Sequence, residues 1–105
     1  MKKLILLATV LGLIAATSAR AADAKENWGR YCASCHGADG KGKKALYTKD
    51  YTTAAVQDAM TDEAAFKATK EGFKPEKGPA MKPYADRLSD DEIKALVAFM
   101  RSLKQ

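Results

Sequence analysis

From Leu4 to Ala16 the chain carries no charge and almost no polar side chain, a largely apolar run of 13 residues. Beyond it the apolar residues turn sparse and periodic. Trp28, Tyr31, Cys32 and Cys35 fall at i, i+3, i+4 and i+7, which predicts a helix over residues 23–35 with both sulfurs on its aromatic face. Gly37 to Tyr51 holds glycines and lysines without any period and reads as loop, followed by a short helical turn around Thr53 to Met60. Thr61, with Asp62 and Glu63 behind it, suits a helix start, and Gly72 suits the stop. This helix carries Phe66 inward.

Pro75, Pro79 and Pro83 exclude a regular element from the next stretch. Then Ser89 and Glu92 form a capping box, with Leu88 and Ile93 at the positions of a hydrophobic staple. Ile93, Leu96, Val97, Met100 and Leu103 keep helical spacing to the end. No run of alternating or β-branched residues makes a strand. The pattern predicts an all-α domain of three to four helices joined by loops.

The first apolar run is too short for a membrane span, which needs roughly 20 residues. Lys2 and Lys3 precede it and Ala19-Arg20-Ala21 follows as an A-x-A cleavage site, so residues 1–21 read as a cleaved signal peptide and residues 22–105 as the mature domain. The first cysteine, Cys32, lies too far downstream for a lipoprotein anchor. An exported protein without stable membrane insertion, periplasmic in location, is expected.

Losing the leader removes three of 18 basic residues and none of the 13 acidic ones, which lowers the net charge from +5 to +2. That balance gives no reason to expect nucleic acid as a partner. Lys41, Lys43 and Lys44 form a local basic run, read first as a solvated loop and second as a positive patch for docking. The 84 residues left carry few large apolar side chains, and domains that small usually need a staple.

Both cysteines and the single histidine sit in five residues, Cys32-Ala-Ser-Cys35-His36. A zinc site normally needs four ligands, and the chain supplies only three Cys or His side chains. A redox disulfide suits an oxidising compartment, but the βαβ setting of thioredoxin-like C-x-x-C motifs is missing. The third reading uses every residue. Two thiols one turn apart can bond covalently to one haem, and the imidazole that follows can ligate its iron.

With no second histidine, a methionine is the candidate for the other axial position. Methionine is more often core filler than ligand. Met100 lies on the apolar stripe of the last helix, and Met60 directly precedes the Thr61 cap. Met81 lies between Pro79 and Pro83, where no stripe accounts for it and the backbone is stiff. Met81 is therefore preferred, ahead of Met60, with Met100 last.

On Cys32, Cys35, His36, Met81 and the aromatic-bearing last helix, residues 22–105 resemble a class I c-type cytochrome of the small, single-haem, exported bacterial kind. The resemblance implies the cytochrome c fold, with helices around one covalently bound haem c and the N- and C-terminal helices crossing at an aromatic pair, here Trp28 and Phe99. It implies a monomeric one-electron carrier rather than an enzyme, with a redox protein as donor and another as acceptor. Two alternatives stand beside it: an electron-accepting subunit of a larger dehydrogenase, and a haem protein with an open sixth position that reacts with small ligands or peroxide. Many family members carry a proline after the haem histidine whose carbonyl receives the ring N–H. None occurs here between His36 and Pro75, so a carbonyl around Leu46 to Lys49 is expected in that role.

Overall fold

The computed structural model describes residues 20–105. Most of the expected signal peptide, residues 1–19, lies outside the described residues. Four helices account for the regular structure: α1 over residues 20–36, α2 Ala54–Asp58, α3 Asp62–Glu71 and α4 Asp90–Ser102. The all-α expectation holds, and the only β pairing among the described residues is an isolated bridge between Phe73 and Met81.

Helix α1 starts alanine-rich, and Glu26 and Arg30 form an exposed i,i+4 ion pair at 3.1 Å along it. Its buried stripe is Ala24, Trp28 and Cys32. Between Trp28 and Cys32 the helix widens to a π-helical turn, with the N–H of Ala33 bonding back to the carbonyl of Trp28, before one last α-helical turn, Ala33–His36. A π turn takes more residues per revolution than an α turn, so positions beyond it fall behind the expected face. Cys32 is buried and Cys35 exposed, so the two sulfurs of the motif differ in accessibility.

The later helices start where the sequence marks them. The side chains of Thr53 and Thr61 accept from the N–H groups of Val56 and Ala64, opening α2 and α3. Ser89 and Glu92 close a complete capping box on α4. Leu88 and Ile93, the expected staple, are both buried, and Ile93 is fully so. Gly72, with φ +88, ends α3 in a conformation that favours glycine.

The core is the crossing of α1 with α4. Trp28 and Cys32 meet Leu88, Ile93, Leu96, Val97, Met100 and the buried ring of Tyr84, with Phe66, Met60 and Met81 packed half-buried at its edge. The expected crossing pair is present, the rings of Trp28 and Phe99 lying 5.5 Å apart. Around this small core the connecting segments are tied to α4 by polar contacts. The buried amide of Gln57 donates to the carbonyls of Tyr51 and Met100. Arg101 donates to the carbonyls of Gln57 and Met60 and pairs with Asp62.

Candidate functional site

The Cys32–His36 run closes α1, and the chain leaves the helix at Gly37 with φ +84. The indole N–H of Trp28 reaches along the helix and donates to the Gly37 carbonyl at 2.9 Å. The His36 ring packs against two aromatic rings that also touch each other, its centroid 5.9 Å from Trp28 and 5.4 Å from Tyr51, with 6.4 Å between those two. Burial lowers the pKa of His36 from its usual value, which favours the neutral imidazole, the form that ligates metals. Burial, followed by the nearby Cys35, pushes the Cys32 thiol up to about 11. Burial likewise raises the Tyr51 phenol.

The carbonyl expected to receive the His36 ring N–H is not in place. The Nδ1 atom is buried without any hydrogen-bond partner. The segment predicted to supply the acceptor does fold back onto the motif, but it engages the backbone beside the ring. Thr48 donates its hydroxyl to the Cys35 carbonyl at 2.7 Å and accepts from the Lys43 N–H. Gly42 donates to the His36 carbonyl. A Cβ on Gly42 would lie 2.5 Å from the Thr48 carbonyl oxygen and 2.6 Å from that of Lys49. Those two carbonyls therefore face the Gly42 backbone, not the imidazole.

Met81 lies at the edge of the same core as Cys32, in the proline-bearing loop. Its backbone exchanges two hydrogen bonds with Phe73, at 2.7 and 2.9 Å, which pins the loop at both ends. Gly72 permits that closure, since a Cβ there would lie 2.9 Å from the Met81 carbonyl oxygen. Met100 is buried, and its sulfur lies 3.6 Å from the Gln57 amide nitrogen. Met60 is half-buried, with its carbonyl held by Arg101.

Cys32 and Cys35 are free thiols. Among the described residues no three His, Cys, Asp or Glu side chains are placed to hold a metal ion by themselves. What the motif presents is two thiols on successive turns and a neutral imidazole with an uncommitted buried nitrogen. That donor set fits a group bonded by the sulfurs and ligated by the ring.

Sequence reasoning misses Tyr51, Thr48, Gln57, Tyr84 and Arg101. For Tyr84 a signal existed, since it precedes Leu88 by four residues and so joins the staple's apolar face. A buried glutamine beside Val56 leaves no trace in a hydropathy pattern.

Comparison with known proteins shows the family of the chain. Residues 19–100 match the family model described as cytochrome c oxidase, cbb3-type, subunit III. The solved structure of the KustC0563 c-type cytochrome is 30% identical, with a TM-score of 0.67 over 77% of this chain and 96% of that one. A mutant of the same cytochrome gives 30% and 0.66, over 78% and 99%. Cytochrome CL from the marine methylotrophic bacterium Methylophaga aminisulfidivorans MPT shares the fold, at 22% identity and a TM-score of 0.61, over 81% of this chain and 53% of that one. No curated protein sequence matches the chain. The chain thus belongs to the family described as cytochrome c oxidase, cbb3-type, subunit III, as a small c-type cytochrome that serves haem-based electron transfer and not as an enzyme.

Proposed function

We propose that the chain carries single electrons on one haem c, held by thioether bonds from Cys32 and Cys35 with His36 and Met81 as axial ligands. When bound, the haem supplies a one-electron iron couple, and a thioether ligand raises its potential. The observation that carries the reading is the His36 ring, neutral and flanked by Trp28 and Tyr51, at the end of the helix that bears both thiols. With both axial positions filled by side chains, no site is left for oxygen, peroxide or substrate, which favours electron transfer over catalysis.

Two lysine-bearing loops meet beside the motif and support docking to acidic redox partners. Residues 41–49 carry four lysines and no acid, and residues 73–82 carry three lysines and Glu76. The loops touch at Gly78, where a Cβ would lie 2.7 Å from the Leu46 carbonyl oxygen. Together they hold six net positive charges, whereas residues 22–105 as a whole hold only two. The exposed rings of Tyr47 and Phe73, 63% and 58% accessible, stand among these lysines. Such a polarised face steers encounter with a negative surface.

The leader pattern supports export to the periplasm, with a mature chain beginning near Ala22. Among the described residues no helix is long and apolar enough to cross a membrane. The family description names a subunit of an oxidase, and this supports a second reading in which the chain serves inside a larger enzyme rather than as a free monomer. Purification from the periplasmic fraction as a free monomer separates the two.

The decisive experiment is the mass and absorption spectrum of protein made in a host that attaches haem. One haem per chain and the weak far-red band of methionine-ligated ferric iron are expected. Met81→Ala should abolish that band, while Met60→Leu and Met100→Leu should keep it. Loss of the band in Met60→Leu with its retention in Met81→Ala would reassign the ligand.

A further inference from the structure

The loop that carries Met81 is fastened to different parts of the molecule on its two sides. On one side Met81 pairs with Phe73, at the end of α3. On the other, three residues on, Tyr84 lies buried, with only 7% of its surface accessible, and its hydroxyl donates to the Tyr31 carbonyl at 3.1 Å. Tyr31 immediately precedes Cys32. The two tyrosine rings meet edge to face at 5.7 Å, with Lys82 above the Tyr84 ring and Arg30 above the Tyr31 ring. The Tyr84 N–H in turn bonds to the Thr69 carbonyl on α3.

The Phe73 and Thr69 bonds hold the loop to α3. The Tyr84 hydroxyl holds it to α1, the helix of Cys32 and His36. A side chain needed only for packing would do as well without a hydroxyl, because a buried phenol costs stability unless it is bonded. Here the bond crosses 53 positions of sequence to reach the backbone beside the attachment motif.

We propose that Tyr84 is a positioning residue: its hydroxyl holds the Met81 loop against α1 and thereby limits how often the Met81 sulfur leaves the iron. This rests on the His36 and Met81 ligation proposed above. Tyr84→Phe keeps the ring and its packing and removes only the tie. Loss of one net hydrogen bond raises the population of the opened loop about five-fold.

Carbon monoxide reports that population, since it binds the reduced protein only when the methionine has left. In the haem-loaded protein, Tyr84→Phe should bind carbon monoxide about five-fold faster than wild type, at zero denaturant and with unchanged helix content. Phe73→Ala, which removes an exposed ring and leaves the backbone bridge, should bind at the wild-type rate. Hydrogen exchange of the wild-type protein gives a check free of variants. The Met81 and Tyr84 amides should exchange together, as one opening unit. A wild-type protein without the far-red band defeats the ligand assignment and this proposal with it. With the band present, carbon monoxide rates within two-fold of each other, or a Met81 amide that exchanges while Tyr84 stays protected, overturn the role of Tyr84 alone.

Discussion

The indole of Trp28 holds the Gly37 carbonyl at 2.9 Å, so the helix that bears the two thiols is tied across its own last turn. The same ring faces His36 on one side and Phe99 on the other. One side chain thus links the position of the imidazole to the crossing of the terminal helices. Trp28→Phe keeps an aromatic at the crossing but removes the indole bond, leaving the Gly37 carbonyl with the Gly40 N–H as its one donor. A loss of about 1 kcal/mol is expected, the net worth of one hydrogen bond. Denaturant titration of the haem-loaded variant measures it, and wild-type stability would show that the bond contributes nothing.

Gly42 and Gly29 should respond to alanine with opposite signs. Gly42 has φ +77, and its backbone lies against the Thr48 and Lys49 carbonyls with no room for a methyl group. Gly42→Ala should cost about 2–3 kcal/mol and push the 43–49 loop away from the motif. Gly29 lies in the widened turn of α1 with nothing within 4 Å of an added Cβ. Gly29→Ala should stabilise by about 0.5–1 kcal/mol. Thermal melts of the two variants decide it.

Arg101 gathers three connections, and they are unequal. Its bonds to the Gln57 and Met60 carbonyls lie in a partly buried setting, whereas its partner Asp62 is 69% accessible. Arg101→Leu should therefore cost about 2 kcal/mol or more, through loss of its charge-assisted bonds to Gln57 and to the Met60 carbonyl, the Gln57 carbonyl keeping only backbone donors. Asp62→Asn should cost less than about 1 kcal/mol, and salt should erase most of that. Equal losses in the two variants would place the energy in the ion pair instead.

The capping box gives α4 a pH dependence of known sign. Hydrogen bonds from the Ser89 backbone and then its side chain hold Glu92 below the usual carboxylate pKa of 4.5. A lowered folded pKa means that the unfolded chain binds the proton more tightly. The contribution is present above pH 4.5 and fades as pH falls through the lowered value. Thermal melts followed by circular dichroism should show a higher midpoint at pH 5 than at pH 3 in wild type, and Glu92→Gln should narrow that difference, Asp50 with its own lowered pKa keeping part of it.

The core described is little more than one helix crossing, so covalent attachment should be needed for folding. Cys32→Ala, Cys35→Ala protein is expected to lose most of its helix content. Native-like circular dichroism from that variant would show that the side chains alone suffice.

Much of this molecule is legible in the sequence because its signals are local. The caps at Thr61 and Ser89 and the stop at Gly72 each depend on a few adjacent residues and stand where predicted, and the expected turn after Thr53 is a short helix. The pairing of Trp28 with Phe99 comes from family resemblance, and the geometry agrees. Two local features follow from geometry that no periodicity reveals. Past the widened turn at Trp28–Cys32, Cys35 is exposed while Cys32 is buried, a difference that an even helical period does not anticipate. The close approach of Gly42 turns the Thr48 and Lys49 carbonyls away from His36. The rest was hidden because Gln57, Tyr84 and Arg101 act across more than 40 positions, through atoms whose partners are backbone and so carry no residue signature.

The ties from Gln57 and Arg101 to α4 also set a schedule. A ribosome delivers the chain from its first residue to its last, and the middle segment finds its anchors only when the final dozen or so residues appear. Until then residues 51–60 are held only at Tyr51, through the Gly40 carbonyl and the rings of Trp28 and His36, and Trp28 lacks its partner on α4. On the export route proposed above the same order holds as the chain emerges on the far side of the membrane, and the Cys32 and Cys35 thiols stay reachable for the proposed attachment until α4 docks.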